Sequence, residues 1–209
     1  TIFGTRYADV PDTGSVPLVA DMSSCILSQE VDVNKFAVIY AGAQKNIAPA
    51  GVTIVIVRND MLGKENPLCP TMMKWSTQVE NKSLYNTPPA FSTYVATEVF
   101  KYLKDLGGVK AMQKINEEKA KLLYDFIDNS SFYNNPVVPK YRSLMNVPFT
   151  TPSPELDAAF VSEAGKNGLV SIKGHRLVGG MRASIYNAMP VEGIKKLIAF
   201  MAEFEKNNR

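Results

Sequence analysis

The sequence predicts an α/β unit followed by a smaller α+β unit, and three observations carry that expectation. The front of the chain holds short continuous apolar runs bounded by turn residues, as buried strands do. Helical periodicity then takes over from Phe91 onward. After about residue 130, short apolar runs alternate with amphipathic stretches. The change of pattern places residues 1–107 in part of a large α/β domain and 108–209 in a small α+β domain.

Taken in order, "VPLVA" (16–20) and "FAVIYA" (36–41) read as parallel buried strands, joined through a short helical turn at "DVNKF". "GVTIVIVR" (51–58) is β-branched and follows after a short loop, so antiparallel pairing is expected. Prolines at 67, 70, 88 and 89 make residues 64–89 irregular. Phe91, Tyr94, Val95, Val99, Tyr102, Leu103 and Leu106 repeat at helical spacing until Gly107-Gly108 stops the run. A second helix carries Met112, Ile115, Leu122 and Phe126, with Lys119 interrupting the stripe and expected to snorkel. "SLMNVPFTT", "GLVSIKG" and "GGMRASIY" read as strands, with a helix near 154–166. A last helix presents Ile194, Leu197, Ile198 and Met201 on one face.

Composition narrows the function. The chain has 45% hydrophobic and 21% charged residues, and a net charge of +3 is too small to argue for a nucleic acid or an anionic membrane as partner. "VTIVIV" is too short to span a bilayer. Cys25 and Cys69 offer neither metal-ligand spacing nor a disulfide framework, so a reduced, cytoplasmic chain is expected. "TIFGTRYADVPDTG" reads as turn-rich chain, as if the sequence begins inside a domain.

One lysine stands out. "YAGAQKNIAPAG" (40–51) sets Lys45 among small and apolar residues at the end of an apolar strand. Most loop lysines are merely solvated. Strand ends in open α/β sheets are ligand sites, however, and a partly desolvated lysine there suits Schiff-base chemistry. A P-loop is excluded, because Asn46 rather than Ser or Thr follows the lysine and Pro49 comes soon after. Asp21, at the end of the preceding strand in "VADMSS", reads either as a cap or turn residue or as a buried anion facing the lysine's ligand. Pyridoxal phosphate needs such a pair: a lysine for its aldehyde and a carboxylate for its pyridine nitrogen.

"DMSSCILSQEVDVNKFAVIYAGAQKNIAPAGVTIVIVR", "SLYNTPPAFS" and "KGHRLVGGMRASIYNAM" together resemble the phosphoserine aminotransferases, class V enzymes of the pyridoxal-phosphate-dependent fold type I. The resemblance runs over essentially all 209 residues and departs at Ala48, where the family usually has glycine. It implies that Lys45 forms the Schiff base with the cofactor and then shuttles a proton. It implies Asp21 at the pyridinium nitrogen, Gln44 at the cofactor phosphate, and Thr1 as the last residue of an N-E-T cofactor-binding segment. Asn86 and Thr87 would reach the phosphate of the partner subunit's cofactor in a homodimer with shared sites.

"SIKGHRLVGGMRAS" (171–184) gathers Lys173, His175, Arg176 and Arg182 around Gly179-Gly180. So many potential cations in a short turn call for solvent or anions, and arginine's fork suits carboxylates. The sole histidine, taken alone, is more often structural. The resemblance assigns Arg182 to the substrate α-carboxylate, and His175 and Arg176 to the distal anion, the phosphate of phosphoserine or the γ-carboxylate of glutamate. The implied reaction is ping-pong transfer from L-glutamate to 3-phosphohydroxypyruvate, in serine biosynthesis, with pyridoxine biosynthesis as a second pathway the resemblance allows. Two alternatives stay open. One is another class V enzyme, such as a cysteine desulfurase or an alanine–glyoxylate-type transaminase. A desulfurase would want its cysteine in a flexible Gly/Ser-rich loop, which neither cysteine has. The other is a catalytically incomplete fragment, because the family's N-terminal part, with its glycine-rich phosphate loop and ring-stacking aromatic, is not in this sequence.

Overall fold

The computed structural model describes residues 2–209, so Thr1 lies outside the described residues. Two compact units divide in the first turn of a long helix. One runs from Val10 to Val109, and the other from Lys110 to Arg209 together with the leading segment up to Asp9.

In the first unit, β1 (Val19–Asp21), β2 (Val38–Gly42) and β3 (Thr53–Val57) form one sheet in that order. β1 and β2 are parallel, with Asp21 opposite Tyr40, and β2 and β3 are antiparallel. Both pairings agree with the expectation. β1 is shorter than "VPLVA" implied, and residues 33–35 form a single 3-10 turn capped by Asp32, whose carboxylate accepts from the Asn34 N–H. The central strand is the buried one: Val38, Ile39 and Ala41 are inside. A short helix, α1 (Trp75–Glu80), interrupts the proline-rich stretch that reads as irregular.

α2 (Ala90–Asp105) is helical where expected, but its buried residues are Ser92, Ala96 and Leu103. Phe91, Tyr94 and Tyr102 are exposed. Small side chains let the helix approach the turn after β2. There the Ser92 hydroxyl donates to the Ala50 carbonyl (3.1 Å), and Ala96 packs with Ala43 and Ile47.

The second unit is built on α3 (Gly108–Asn129), β4 (Asn146–Phe149), α4 (Pro154–Lys166), β5 (Met181–Ser184) and α5 (Val191–Asn208). β4 and β5 pair antiparallel. Ser153 caps α4, its hydroxyl accepting from the Leu156 N–H (3.3 Å), with Pro154 at the first helical position. Phe160, at zero exposure, stacks edge-on with Phe149, Phe200 and Phe204, which ties α4 to β4 and α5. "GLVSIKG" is not a strand. Gly168 and Ser171 both have left-handed backbone (φ 75° and 59°), and the segment keeps only an isolated bridge from Lys173 to Met181.

The buried stripe of α3 also differs from expectation. It runs Met112, Asn116, Lys119, Ala120, Leu123 and Ile127, leaving Ile115, Leu122 and Phe126 half-buried. Lys119 does not snorkel. It is completely buried, and its ammonium donates to the carbonyls of Ile185 (3.1 Å), Tyr186 (2.9 Å) and Met189 (3.0 Å).

Candidate active site

Parallel pairing puts the ends of β1 and β2 side by side, so the turns that leave them are neighbours. Asp21 closes β1, and the turn carrying Lys45 leaves β2. That turn winds back on itself: the N–H groups of Ile47 (3.1 Å) and Ala48 (2.9 Å) both donate to the Ala43 carbonyl. Ala41 and Ala43 are fully buried and Ile47 nearly so. The small residues around the lysine therefore anchor the turn in the core, which fixes where the lysine's backbone sits. Lys45 itself is half-buried and belongs to no ion pair among the described residues.

Asp21 is solvent-accessible, and its Oδ1 accepts the N–H of Ser23 (2.8 Å). Partial burial pushes its pKa upward, but hydrogen bonds from Ser23 and the charge of Lys45 outweigh that and hold the carboxyl below the usual range. The pair thus offers a carboxylate whose charged form is favoured and an amine with no carboxylate bonded to it among the described residues. A protonated pyridine nitrogen and an aldehyde fit those two groups respectively. Gln44 is exposed and folds back over Gly42, where a Cβ would lie 2.5 Å from its Oε1. Asn86 and Thr87 sit in an exposed loop before α2, with Asn86 Nδ2 donating weakly to the Thr87 carbonyl (3.4 Å).

The basic cluster belongs to the second unit. Arg182 lies on β5 opposite Pro148, and its backbone N–H donates to Ile172 (2.7 Å). Its guanidinium Nε is buried without a hydrogen-bond partner, a donor that awaits an acceptor. The turn before it is tight. Gly174 N–H donates to Gly180 (2.8 Å), and a Cβ on Gly174 would lie 1.9 Å from the Gly179 oxygen. His175 Nδ1 accepts the Leu177 N–H (3.2 Å), which leaves Nε2 as the N–H that can face a ligand. Arg176 is exposed. Asp21, Gln44 and Lys45 are therefore grouped in one unit, and His175, Arg176 and Arg182 in the other.

The aminotransferase class-V family profile matches residues 1–197. The chain belongs to that family. It is 57% identical over 209 residues to a phosphoserine aminotransferase of Bacillus cereus, a match covering all of this chain and 58% of the relative. The solved phosphoserine aminotransferase of Bacillus circulans subsp. alkalophilus superposes with a TM-score of 0.97 at 48% identity, over 100% of this chain and 58% of that one. The PLP-bound phosphoserine aminotransferase of Trichomonas vaginalis gives 0.91 at 41% identity, over 97% and 58%. The fold is aminotransferase fold type I, and the chain spans about 58% of the length of these relatives.

The sequence alone gives no site role to Ser23 or Asn46. Both lie inside motifs whose neighbours drew the eye, and only the folded chain shows what they touch.

Proposed function

We propose that this chain forms the lysine-bearing part of a phosphoserine aminotransferase. The enzyme uses pyridoxal phosphate to move the amino group of L-glutamate to 3-phosphohydroxypyruvate, giving O-phospho-L-serine and 2-oxoglutarate. The observation that carries the reading is Lys45, half-buried and unbridged beside an Asp21 held ionised, in a chain 57% identical along its whole length to a phosphoserine aminotransferase.

When bound, the cofactor supplies an electron sink for the bond broken at the substrate α-carbon. Lys45 Nζ would hold the cofactor aldehyde and, once freed, would carry the proton from the substrate α-carbon to the carbon of the cofactor that had borne the aldehyde. Asp21 keeps the pyridine nitrogen protonated, and Gln44 contacts the phosphate. Arg182 binds the α-carboxylate shared by both amino acids. His175 and Arg176 meet the distal anion, phosphate in one half-reaction and carboxylate in the other.

The working unit on this reading is a cytoplasmic homodimer, with Asn86 and Thr87 reaching the partner's cofactor phosphate. Mixed dimers of Lys45→Ala with an Asn86→Ala, Thr87→Ala chain should regain activity that neither homodimer has. No recovery after verified subunit exchange would refute the crossing.

The reaction is tested in a full-length polypeptide carrying this chain. Glutamate with 3-phosphohydroxypyruvate should be turned over far faster than cysteine, or than alanine with glyoxylate. A preference for either of the latter would overturn the assignment.

A further inference from the structure

The chemistry proposed above requires Asp21 and Lys45 to keep a constant separation, although they lie on turns that leave different strands. Two side chains tie those turns together. Ser23 Oγ accepts the N–H of Gly42 (3.0 Å), the last residue of β2, while the Ser23 backbone N–H donates to Asp21 Oδ1 (2.8 Å). Asn46, buried and next to Lys45, donates from Nδ2 to the Ile26 carbonyl (3.0 Å) on the Asp21 side. The ties bracket Lys45, one entering its turn and one directly after it.

We propose that Ser23 is a positioning residue that sets the Asp21 carboxylate against the Lys45 turn, with Asn46 as the second tie. This rests on the aminotransferase reading. A serine hydroxyl suits the place because it has both a proton and lone pairs. It accepts from the Gly42 amide and can donate to the Asp21 carboxylate, so one side chain fixes the strand end and favours the charged carboxyl together. The Ser23 contribution to keeping Asp21 ionised agrees with this. Alanine would leave the Gly42 N–H without its acceptor and the carboxylate with one donor fewer. Ser23 touches Asp21 and the backbone before Lys45, so it acts through them.

The test compares Ser23→Ala, Ser23→Val and Ser23→Thr in the full-length polypeptide. Valine and threonine share a shape, so their difference isolates the hydroxyl even if alanine fails to fold. Two readouts need no cofactor: hydrogen exchange at the Gly42 amide, and the pH midpoint of the Asp21 carboxyl followed by NMR. Ala and Val should speed the exchange and raise the midpoint, while Thr stays near the parent. A third readout is pyridoxal phosphate affinity, expected to fall about tenfold in Ala and Val, the size of one hydrogen bond, and to be restored by Thr. Asn46→Ala should weaken the same affinity without moving the Asp21 midpoint.

If Thr and Val behave alike, or if Gly42 exchange and the Asp21 midpoint are unmoved in every variant, the proposal is wrong. Failure of the aminotransferase reading looks different: the cofactor-free readouts would respond to Ser23 while Lys45→Ala left turnover intact.

Discussion

Lys45, half-buried in the turn after β2, and Lys119, fully buried in the middle of α3, sit in two regions that treat the amine in opposite ways. Around Lys119 the chain supplies acceptors. The segment after β5 turns its carbonyls inward, and those of Ile185, Tyr186 and Met189 take the three ammonium protons. Beside it, Asn116 donates to Asn187 Oδ1 (2.9 Å) in the same segment. No carboxylate is needed, since three neutral dipoles satisfy the donors at close range. Around Lys45 the chain supplies a firm backbone and leaves the side chain unbridged.

The contrast separates burial from reactivity. Burial pushes the Lys119 pKa down to about 8, a value often read as the mark of a catalytic amine. Yet its nitrogen is enclosed and fully bonded, with no path for a substrate carbonyl. Lys45 differs in being half-buried and in having no ion-pair partner among the described residues.

The comparison breaks most sharply at Lys45. Replacing it with alanine in a full-length polypeptide should abolish transamination, together with covalent trapping of pyridoxal phosphate by borohydride, while thermal stability changes little. Trapping that persists at another lysine would move the role away from Lys45.

Lys119→Ala should do the reverse. It removes the donor to three buried carbonyls and leaves a cavity, lowering unfolding free energy by roughly 3 kcal/mol. Methionine keeps the apolar stem and should cost less. Borohydride trapping at Lys45 should survive in whatever fraction remains folded. Loss of trapping at unchanged stability would erase the distinction between the two lysines.

Residue patterns reveal some of this and hide the rest. The strands and helices are readable where apolar side chains repeat with a clear period, as in β2, α4 and α5. The buried side of α3 is hidden because Asn116 and Lys119 sit in it, and a search for apolar repeats skips them in favour of Leu122 and Phe126. α2 misleads in the opposite sense: its aromatic residues are exposed, and Ser92 and Ala96 make the close contact. In "GLVSIKG", β-branched residues suggest a strand, but the left-handed conformation at Ser171 breaks it. Lys45 and Asp21 are conspicuous as chemistry at strand ends. Ser23 and Asn46 are not, because a serine or asparagine near a turn usually serves only its own turn. Their partners, Gly42 and Ile26, lie about twenty positions away, and the parallel pairing of β1 and β2 brings them near.

The smallest effect expected is a pH dependence that belongs to Lys119 alone. In the unfolded chain its amine titrates near 10.5, and in the folded chain burial brings this to about 8. Below about pH 8 both states carry the proton, and the cost of burying the charge falls wholly on the folded state. Between the two values the unfolded chain holds more protons, so stability must rise with pH, by at most about 1.4 kcal/mol per unit. The buried phenols of Tyr124 and Tyr133 work the other way. Burial pushes both pKa values up, so above about pH 10 the unfolded state sheds protons that the folded state keeps, and stability falls. The clean window is therefore pH 8 to 10. Urea denaturation across it should show a rising midpoint in the parent protein and a flatter curve in Lys119→Met, with the gap between the two curves widening toward the alkaline end. If the parent and Lys119→Met respond identically, the buried ammonium keeps its proton throughout, and its carbonyl cage stabilises the charge more strongly than burial destabilises it.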